Sequence, residues 1–435
     1  MHFNLRTYGT LPICEGRFLP LQSSHSIKAG LNNPFISLKH RDFRYYFCGM
    51  CVSTIGTWMQ NTAQPWLAYS LTKSPLLLSL VSALQFTPVL LFSLFAGVLI
   101  DRVPKKSILI FTQSASMIIT LGLGVLTLTG RIQYWQLLVS AALLGVVNTL
   151  DMPSRQSFVV ELVGHDDLMN AIAINSMTFN VARIIGPAVA GIVMGRLGIG
   201  LCFLFNSISF GAVLLSLFFI HPAAPRPQPK KEREPMIANI RQGLVYIRGS
   251  DRLLVTLLIT AVVGTFAPNF SVTIPVFARQ VLHQQETGYG LLMSIMGIGS
   301  LCGAFLIAAV SKTGPKRFFL YIVPIIVGVS LALVGFTGSV LFSGLTLAVT
   351  GFFFVVFNSN ANSTMQLNVE DAYRGRVMSV YILINVGSTP IGNLFAGMVD
   401  NLFGARMGYI ASGAAVLLLM IPVYLVLVKR SGIRS

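Results

Sequence analysis

Apolar stretches long enough to cross a lipid bilayer return repeatedly along this chain, each ended by a short polar or charged segment. Leu76 to Ile100 carries no charge until Asp101, and Val377 to Val399 and Met407 to Val428 are similar runs. A helix needs about 20 residues to cross the hydrocarbon core. Mean hydropathy is +0.73 and charged residues make up 10% of 435 positions, more apolar surface than a water-soluble fold can bury. At these lengths, helices satisfy their own backbone hydrogen bonds in lipid. The pattern predicts an all-α membrane protein with about twelve transmembrane helices. They are placed near 44–71, 75–100, 107–129, 134–156, 168–194, 199–220, 252–281, 287–311, 317–337, 340–366, 376–402 and 405–428.

The net charge of +17 raises the question of nucleic acid, and its distribution answers it. With the first segment placed in the cytoplasm and the sides alternating, 24 Lys and Arg fall in cytoplasmic segments and 5 in external loops. Arg155 and Arg183 lie in or beside spans. That asymmetry is the positive-inside rule, with both termini cytoplasmic. A clustered basic face, which nucleic-acid binding needs, is missing. The expected partners are the lipid bilayer, a small-molecule substrate and a proton or ion gradient, with no nucleic acid, for a chain working as a monomer. Residues 1–41 are polar and lack the apolar core of a signal peptide, so a cytoplasmic tail is expected. Cys48 and Cys51 form a CxxC inside the first span, where packing by small residues is the ordinary reading over redox or metal chemistry.

The segment His221 to Glu234, HPAAPRPQPKKERE, separates six spans from six. Prolines and like charges make it a linker. The expected organisation is a tail at 1–41, a six-helix half at 42–220, a cytoplasmic linker at 221–251, a second six-helix half at 252–430 and a tail at 431–435. The halves repeat one another. Gly186, Ala190, Gly191 and Gly198 match Gly392, Ala396, Gly397 and Gly404, all 206 positions on. Asn148 and Gln156 match Asn358 and Gln366 at 210, and the Pro104–Lys106 stretch matches Pro315–Arg317 at 211. A collinear series of this kind indicates duplication, and duplicated parallel halves imply a cavity at their interface and a rocking motion.

After the second span comes Gly97-Val-Leu-Ile-Asp101-Arg102-Val-Pro-Lys105-Lys106. Gly97 permits close helix approach. Asp101, at a cytoplasmic helix end, can pair with basic residues or with a helix N-terminus of the other half, making a latch. Plain anchoring to anionic lipid is the simpler role for Arg102, Lys105 and Lys106. In the fifth span, Gly186, Pro187, Ala190 and Gly191 permit tight packing, with Pro187 loosening the helix.

These segments resemble signatures of the major facilitator superfamily. The loop resembles the family's cytoplasmic signature, with Pro104 where a second Gly is usual and Lys105 where Arg is usual. The fifth-span run resembles the antiporter motif GPxxGG, with Ala190 replacing one Gly, and that resemblance implies export in exchange for protons. Gly56 to Trp66, Asp151 to Gln156 and Leu168 to Asn175 are similar to the bacterial exporter branch of transmembrane secretion effector type, which includes the enterobactin exporter. The resemblance covers about residues 34–430 and implies the major facilitator fold, two pseudo-symmetric six-helix halves in a bacterial inner (plasma) membrane. One departure concerns the fourth span: many drug antiporters carry an Arg four residues before a Gly, and here Ala141 precedes Gly145.

Intramembrane charge is scarce and therefore informative. Arg183 lies near mid-depth of the fifth span and shares a helix face with Asn180 and Pro187. It is expected to line the cavity, a structural pair with Asp151 being the alternative. Asp151 and Arg155 are one turn apart and can pair with each other. Asp151 is also the acid expected to couple protons. Amides at Asn61, Gln64, Gln85, Asn269, Asn358 and Asn385 serve either as interhelical glue or as substrate contacts. With Trp58, Trp66, Phe86 and Phe179 they suit a bulky amphipathic molecule. No metal cluster, cofactor motif or Walker loop is present. The expectation is a proton-coupled exporter of a siderophore or drug-like molecule by alternating access, not an enzyme. The alternatives are a lipid or lysolipid transporter and a non-transporting receptor or sensor.

Overall fold

The computed structural model describes residues 35–164, 166–220, 236–310 and 314–432. Most of the expected tail and the proline-rich part of the expected linker lie outside them. A short 3-10 turn, Ile36–Lys39, leads into α1 (Arg41–Thr72), followed by α2 (Pro75–Arg102), α3 (Lys105–Leu128), α4 (Tyr134–Val163), α5 (Leu168–Leu197) and α6 (Ile199–Phe219). These six fall on the first six expected spans, with α4 running seven residues further. The second half contains α8 (Asp251–Phe266), α9 (Phe270–Gln280), α10 (Glu286–Val310), α11 (Arg317–Tyr321), α12 (Val323–Phe336), α13 (Val340–Leu367), α14 (Asp371–Gly387), α15 (Thr389–Phe403) and α16 (Ala405–Gly432). Among the described residues, 11 helical segments are long and apolar enough to cross a membrane. α1 is long enough as well, and Gln60, Asn61 and Gln64 make it the more polar member of the bundle.

Three expected spans of the second half are each built from two helices: α8 with α9, α11 with α12, and α14 with α15. Proline accounts for each break, because it lacks an N–H and crowds the preceding turn. Pro268 occupies the gap before α9, and Pro324 and Pro390 sit in the first turns of α12 and α15, where proline is tolerated. Asn269 then donates its amide to the carbonyls of Thr265 and Phe266, 3.1 Å each, at the freed end of α8.

Within the expected linker, the described part forms α7 (Met236–Gly249), docked on α14. Tyr246 stacks on Tyr373 with ring centroids 4.6 Å apart, and a Cβ on Gly243 would lie 2.7 Å from the Arg376 carbonyl. Its short length and mixed polarity kept it from standing out against the spans.

The duplication is visible in the backbone. Gly198 ends α5 at φ 95° and ψ 156°, and Gly404 ends α15 at φ 88° and ψ 160°. Positive φ of this kind favours glycine. Equivalent close approaches recur too. A Cβ on Gly186 would lie 2.4 Å from the Cβ of Trp58 on α1, and a Cβ on Gly392 would lie 1.8 Å from the Thr265 carbonyl on α8. Between the halves, α5 crosses α10 where a Cβ on Gly290 would be 2.5 Å from the Pro187 carbonyl. The related crossing joins α15 to α2, where a Cβ on Gly397 would be 2.4 Å from Ser79. Lipid supplies no hydrophobic drive between helices, so small residues that admit close backbones hold such crossings together. Large apolar side chains such as Phe111, Ile118, Phe218 and Phe336 point outward, as a lipid-facing surface requires.

Candidate functional site

Three polar groupings and one loop hold the residues that chemistry can use. The first lies inside the first half. Asp151 on α4 is 5% exposed and accepts hydrogen bonds from Thr112 (2.6 Å) and Gln113 (2.7 Å) of α3. Arg155, one turn on, pairs with its other oxygen and also touches the Met50 sulfur of α1. A buried ion pair persists only when its remaining hydrogen-bonding capacity is met, and here it largely is. Asp151 is therefore engaged by Arg155, not by Arg183.

The second grouping is aromatic. Trp58 of α1 and Phe179 of α5 meet edge to face at 5.4 Å, and the Arg183 guanidinium lies over Trp58 at 5.8 Å. The Arg183 Nε is buried without a hydrogen-bond partner, and no described acid pairs with this side chain. Asn180, beside it, bonds the Ser176 carbonyl of its own helix. Deeper along α1, Asn206 of α6 donates to Gln60 at 2.6 Å and Gln60 donates to Gln64, whose Nε2 remains free. Asn61 is exposed and Gln85 half-buried. In the second half, Asn358 of α13 accepts from Asn385 of α14 at 3.3 Å and faces the Tyr381 hydroxyl at 3.4 Å. The expected cavity amides thus divide: Asn269 secures a helix break, Asn358 and Asn385 bond each other, and Asn61 and Gln85 stay accessible.

The third grouping joins the halves at one end of the bundle, and sequence reasoning missed it. The Trp66 ring stacks on Tyr289 of α10 at 5.2 Å and 14°, with Arg279 of α9 over it at 5.5 Å. Its indole N–H donates to Glu286 at 2.9 Å. Arg279 donates to Ser70 and Gln280 to the Tyr69 hydroxyl, while Ser74 bonds Asn401 at 3.1 Å. Nearer mid-depth, Ser294 donates to the Ile184 carbonyl across the α5–α10 crossing. The available signal was an acid, Glu286, at the start of the apolar α10, and an indole, Trp66, near the end of α1.

At the opposite end, Gly97 and the Asp101 side chain of the expected latch lie outside the described residues. Arg102 is exposed. Lys105 approaches Glu161 of α4 at 3.9 Å, and Lys106 donates to the Ile220 carbonyl at 2.8 Å, so both tie α3 to its own half. Asp167 bonds Lys39 (2.8 Å) and His40 (2.7 Å), and those bonds hold its carboxyl below the usual range. In the antiporter-like run, Gly186, Pro187, Ala190 and Gly191 are all buried at helix crossings.

Comparison with known proteins agrees with this architecture. Residues 32–432 match the family described as transmembrane secretion effector. The Staphyloferrin A transporter of Staphylococcus aureus is 25% identical over 387 residues, covering 88% of this chain and 96% of that protein. The multidrug efflux pump Tap of Mycolicibacterium fortuitum is 25% identical, covering 84% and 90%. The enterobactin exporter EntS of Shigella boydii is 21% identical, covering 91% and 94%. Among solved structures, the nucleoside transporter NupG superposes with a TM-score of 0.71 at 11% identity, covering 89% of this chain and 99% of that one. A bacterial homolog of the human lysosomal transporter Spinster, inward-facing, gives 0.70 at 13%, covering 89% and 96%. These last two establish the fold. Matched over nearly its whole described length, with twelve spans in two related halves, the chain is a transporter and belongs to the transmembrane secretion effector family of the major facilitator superfamily.

Proposed function

We propose that this transporter exports a small amphipathic molecule, siderophore-like or drug-like, from the bacterial cytoplasm by alternating access driven by a proton gradient. The observation that carries the reading is the arrangement of contacts between the halves: glycine-lined crossings along α5–α10 and α2–α15, and a polar seal around Trp66 at one end. Two rigid lobes joined in this way can rock about the crossings and expose a central pathway to each side in turn. The excess of basic residues in alternate loops orients the seal outward and both termini inward. The relatives that export siderophores and drugs support the substrate class and the direction.

In this reading the substrate contacts Arg183, Trp58 and Phe179, and the amides Asn61, Gln64, Gln85, Asn180, Asn269, Asn358 and Asn385 border the path. Asp151 is the acid that carries the coupled proton. Gly97, Asp101, Arg102, Lys105 and Lys106 form the cytoplasmic latch, and a single chain suffices. The test is uptake into inside-out vesicles under an imposed proton gradient, using a panel of iron-free siderophores and cationic dyes. The parent chain concentrates at least one of them. Arg183→Ala abolishes that uptake, and Arg183→Lys restores little of it, because an ammonium cannot replace a planar fork. Asp151→Asn loses uphill accumulation and keeps downhill exchange. Failure of every compound to move counts against export, and uphill transport by Asp151→Asn removes Asp151 from the coupling step.

A further inference from the structure

Asp400 lies in the last turns of α15 and is 2% exposed. No side-chain donor reaches its carboxylate oxygens; what they face is the backbone of Gly408 on α16. The backbone of α16 presses against it: a Cβ on Gly408 would stand 1.8 Å from Oδ1. Along the same hairpin other buried polar atoms are also unpartnered, namely Ser412 Oγ and both polar atoms of Asn393. A buried polar group without a partner in a native fold requires an explanation. A bare carboxylate here would have lost its water and gained no cation and no side-chain donor in return. A carboxylic acid carries its own O–H and can lend it to a neighbour.

The elements packed on α15 bring no cation to Asp400. From α16 comes Tyr409, while Arg406 of the same helix is directed to the Gly335 and Thr337 carbonyls. From α9 the charged residue is Arg279, taken up by Trp66 and Ser70. The facing part of α2, Pro75 to Ser79, holds no titratable group, and Asp251 and Arg252 of α8 lie at the other end of the bundle. Tyr289 of α10 lies against Trp66 behind this cluster.

The place matters as much as the chemistry. Asn401, the next residue, bonds Ser74 of the other half, and Gly397, one turn back, packs on Ser79 and the Pro75 carbonyl. Asp400 therefore lies on the turn of α15 that meets α2 of the opposite lobe, with α16 of its own lobe over the carboxyl. Parting the lobes at this end takes α2 away from that turn and brings water to its flank.

We infer that Asp400 is a proton-binding site, which holds a proton while the lobes are closed over it and releases that proton to water when they part at this end. Protonation then favours the sealed conformation and deprotonation favours the open one. The inference rests on the proposed rocking motion. It supplies a carboxyl in the second half, distinct from Asp151 in the first.

The test uses the full chain with its native cysteines replaced by serine and Ser79→Cys as a reporter, since that position is covered until α2 leaves α15. Maleimide labelling is followed in membrane vesicles from acid to alkaline buffer, with no substrate present. Labelling should rise with pH. Asp400→Asn should lose that rise and remain poorly labelled throughout, and Asp400→Glu should retain it with a displaced midpoint. A profile for Asp400→Asn that matches the parent overturns the inference. Should Asp400→Asn fail to insert, an undisplaced midpoint for Asp400→Glu overturns it equally. Suppression of labelling when sodium replaces choline at fixed pH and ionic strength, in the parent but not in Asp400→Asn, would make the ligand a metal cation and also overturn it. Because labelling needs no substrate, vesicles that export nothing yet keep the pH-dependent labelling sink the export reading and leave this one standing.

Discussion

Asp151 and Asp400 are nearly equally buried, one in each half, and the surroundings treat them in opposite ways. Asp151 is held by Thr112, Gln113 and Arg155, whereas Asp400 has no cation and no side-chain donor, only the Gly408 backbone against it. The duplicated backbone does not repeat either arrangement. At the offset of 210 that relates Asn148 to Asn358, Asp151 corresponds to Ala361 and Arg155 to Met365, both fully buried. At the offset of 206 that relates Gly186 to Gly392, Asp400 corresponds to the buried Met194. Backbone geometry at the crossings has been kept while buried charge has been placed in one half or the other. The lesson is that the two acids are set up differently in this conformation: the one paired with a cation braces its half, and the one without a cation is free to respond to water.

The strongest way to break this comparison is to remove the brace. Arg155→Ala leaves the Asp151 charge buried without its cation, which should destabilise the chain by about 3–5 kcal/mol. The double substitution Asp151→Ala with Arg155→Met, which copies the second half, should recover most of that loss. Thermal unfolding in detergent, read by size exclusion, checks both. Equal melting of the single and double variants would mean that the pair does not brace the fold.

A smaller effect tests the symmetric part. Gly392→Ala forces a methyl against the Thr265 carbonyl, 1.8 Å away, and Gly186→Ala forces one against Trp58, 2.4 Å away. Overpacking of this kind costs about 1–3 kcal/mol. Gly392→Ala should lie at the upper end, because its first obstacle is a backbone carbonyl and not a side chain. The same melting assay ranks them, and a reversed order would show the first half to be the stiffer.

The smallest effect concerns the part-buried ion pair of Asp167 with Lys39 and His40. Its carboxyl is held below the usual range, so the pair contributes at pH above the ordinary carboxylate value and is lost as pH falls through the lowered one. Amide protection at residues 36–40, with the intrinsic pH dependence of exchange divided out, should fall in acid in the parent. Asp167→Asn should be less protected at neutral pH and show no such acid step. An acid step that survives in Asp167→Asn assigns it to another group.

Much of the fold is legible in the residue pattern because a bilayer imposes one length on every span. The fourfold spacing of Asp151 and Arg155 also indicates their pairing directly. The breaks before α9, α12 and α15 are less visible, since Pro65, Pro88, Pro153 and Pro187 lie within unbroken helices of the first half. Proline alone does not distinguish the two outcomes; the neighbouring packing decides. Asp400 reads as a residue at a span end, where water would reach it. Only the turn at Gly404 and the approach of Gly408 reveal that α16 covers it. The Trp66 seal is invisible for a related reason: Trp66 and Glu286 are 220 positions apart and meet only when the lobes close.

The glycine-lined crossings have a mechanical consequence. Two contact lines, where glycines bring backbones together, define an axle, and a body turning on an axle moves least at the bearing and most at the rim. A bond near the axle, such as that of Ser294 to the Ile184 carbonyl, stretches little as the lobes turn. The energy that distinguishes one orientation of the lobes from the other then resides mainly at the rim, in the few bonds around Trp66, Ser74 and Asn401. Substitutions there should bias how long each orientation lasts, as adding weight to one arm of a balance would, while leaving the bearing and the path through the middle as they were.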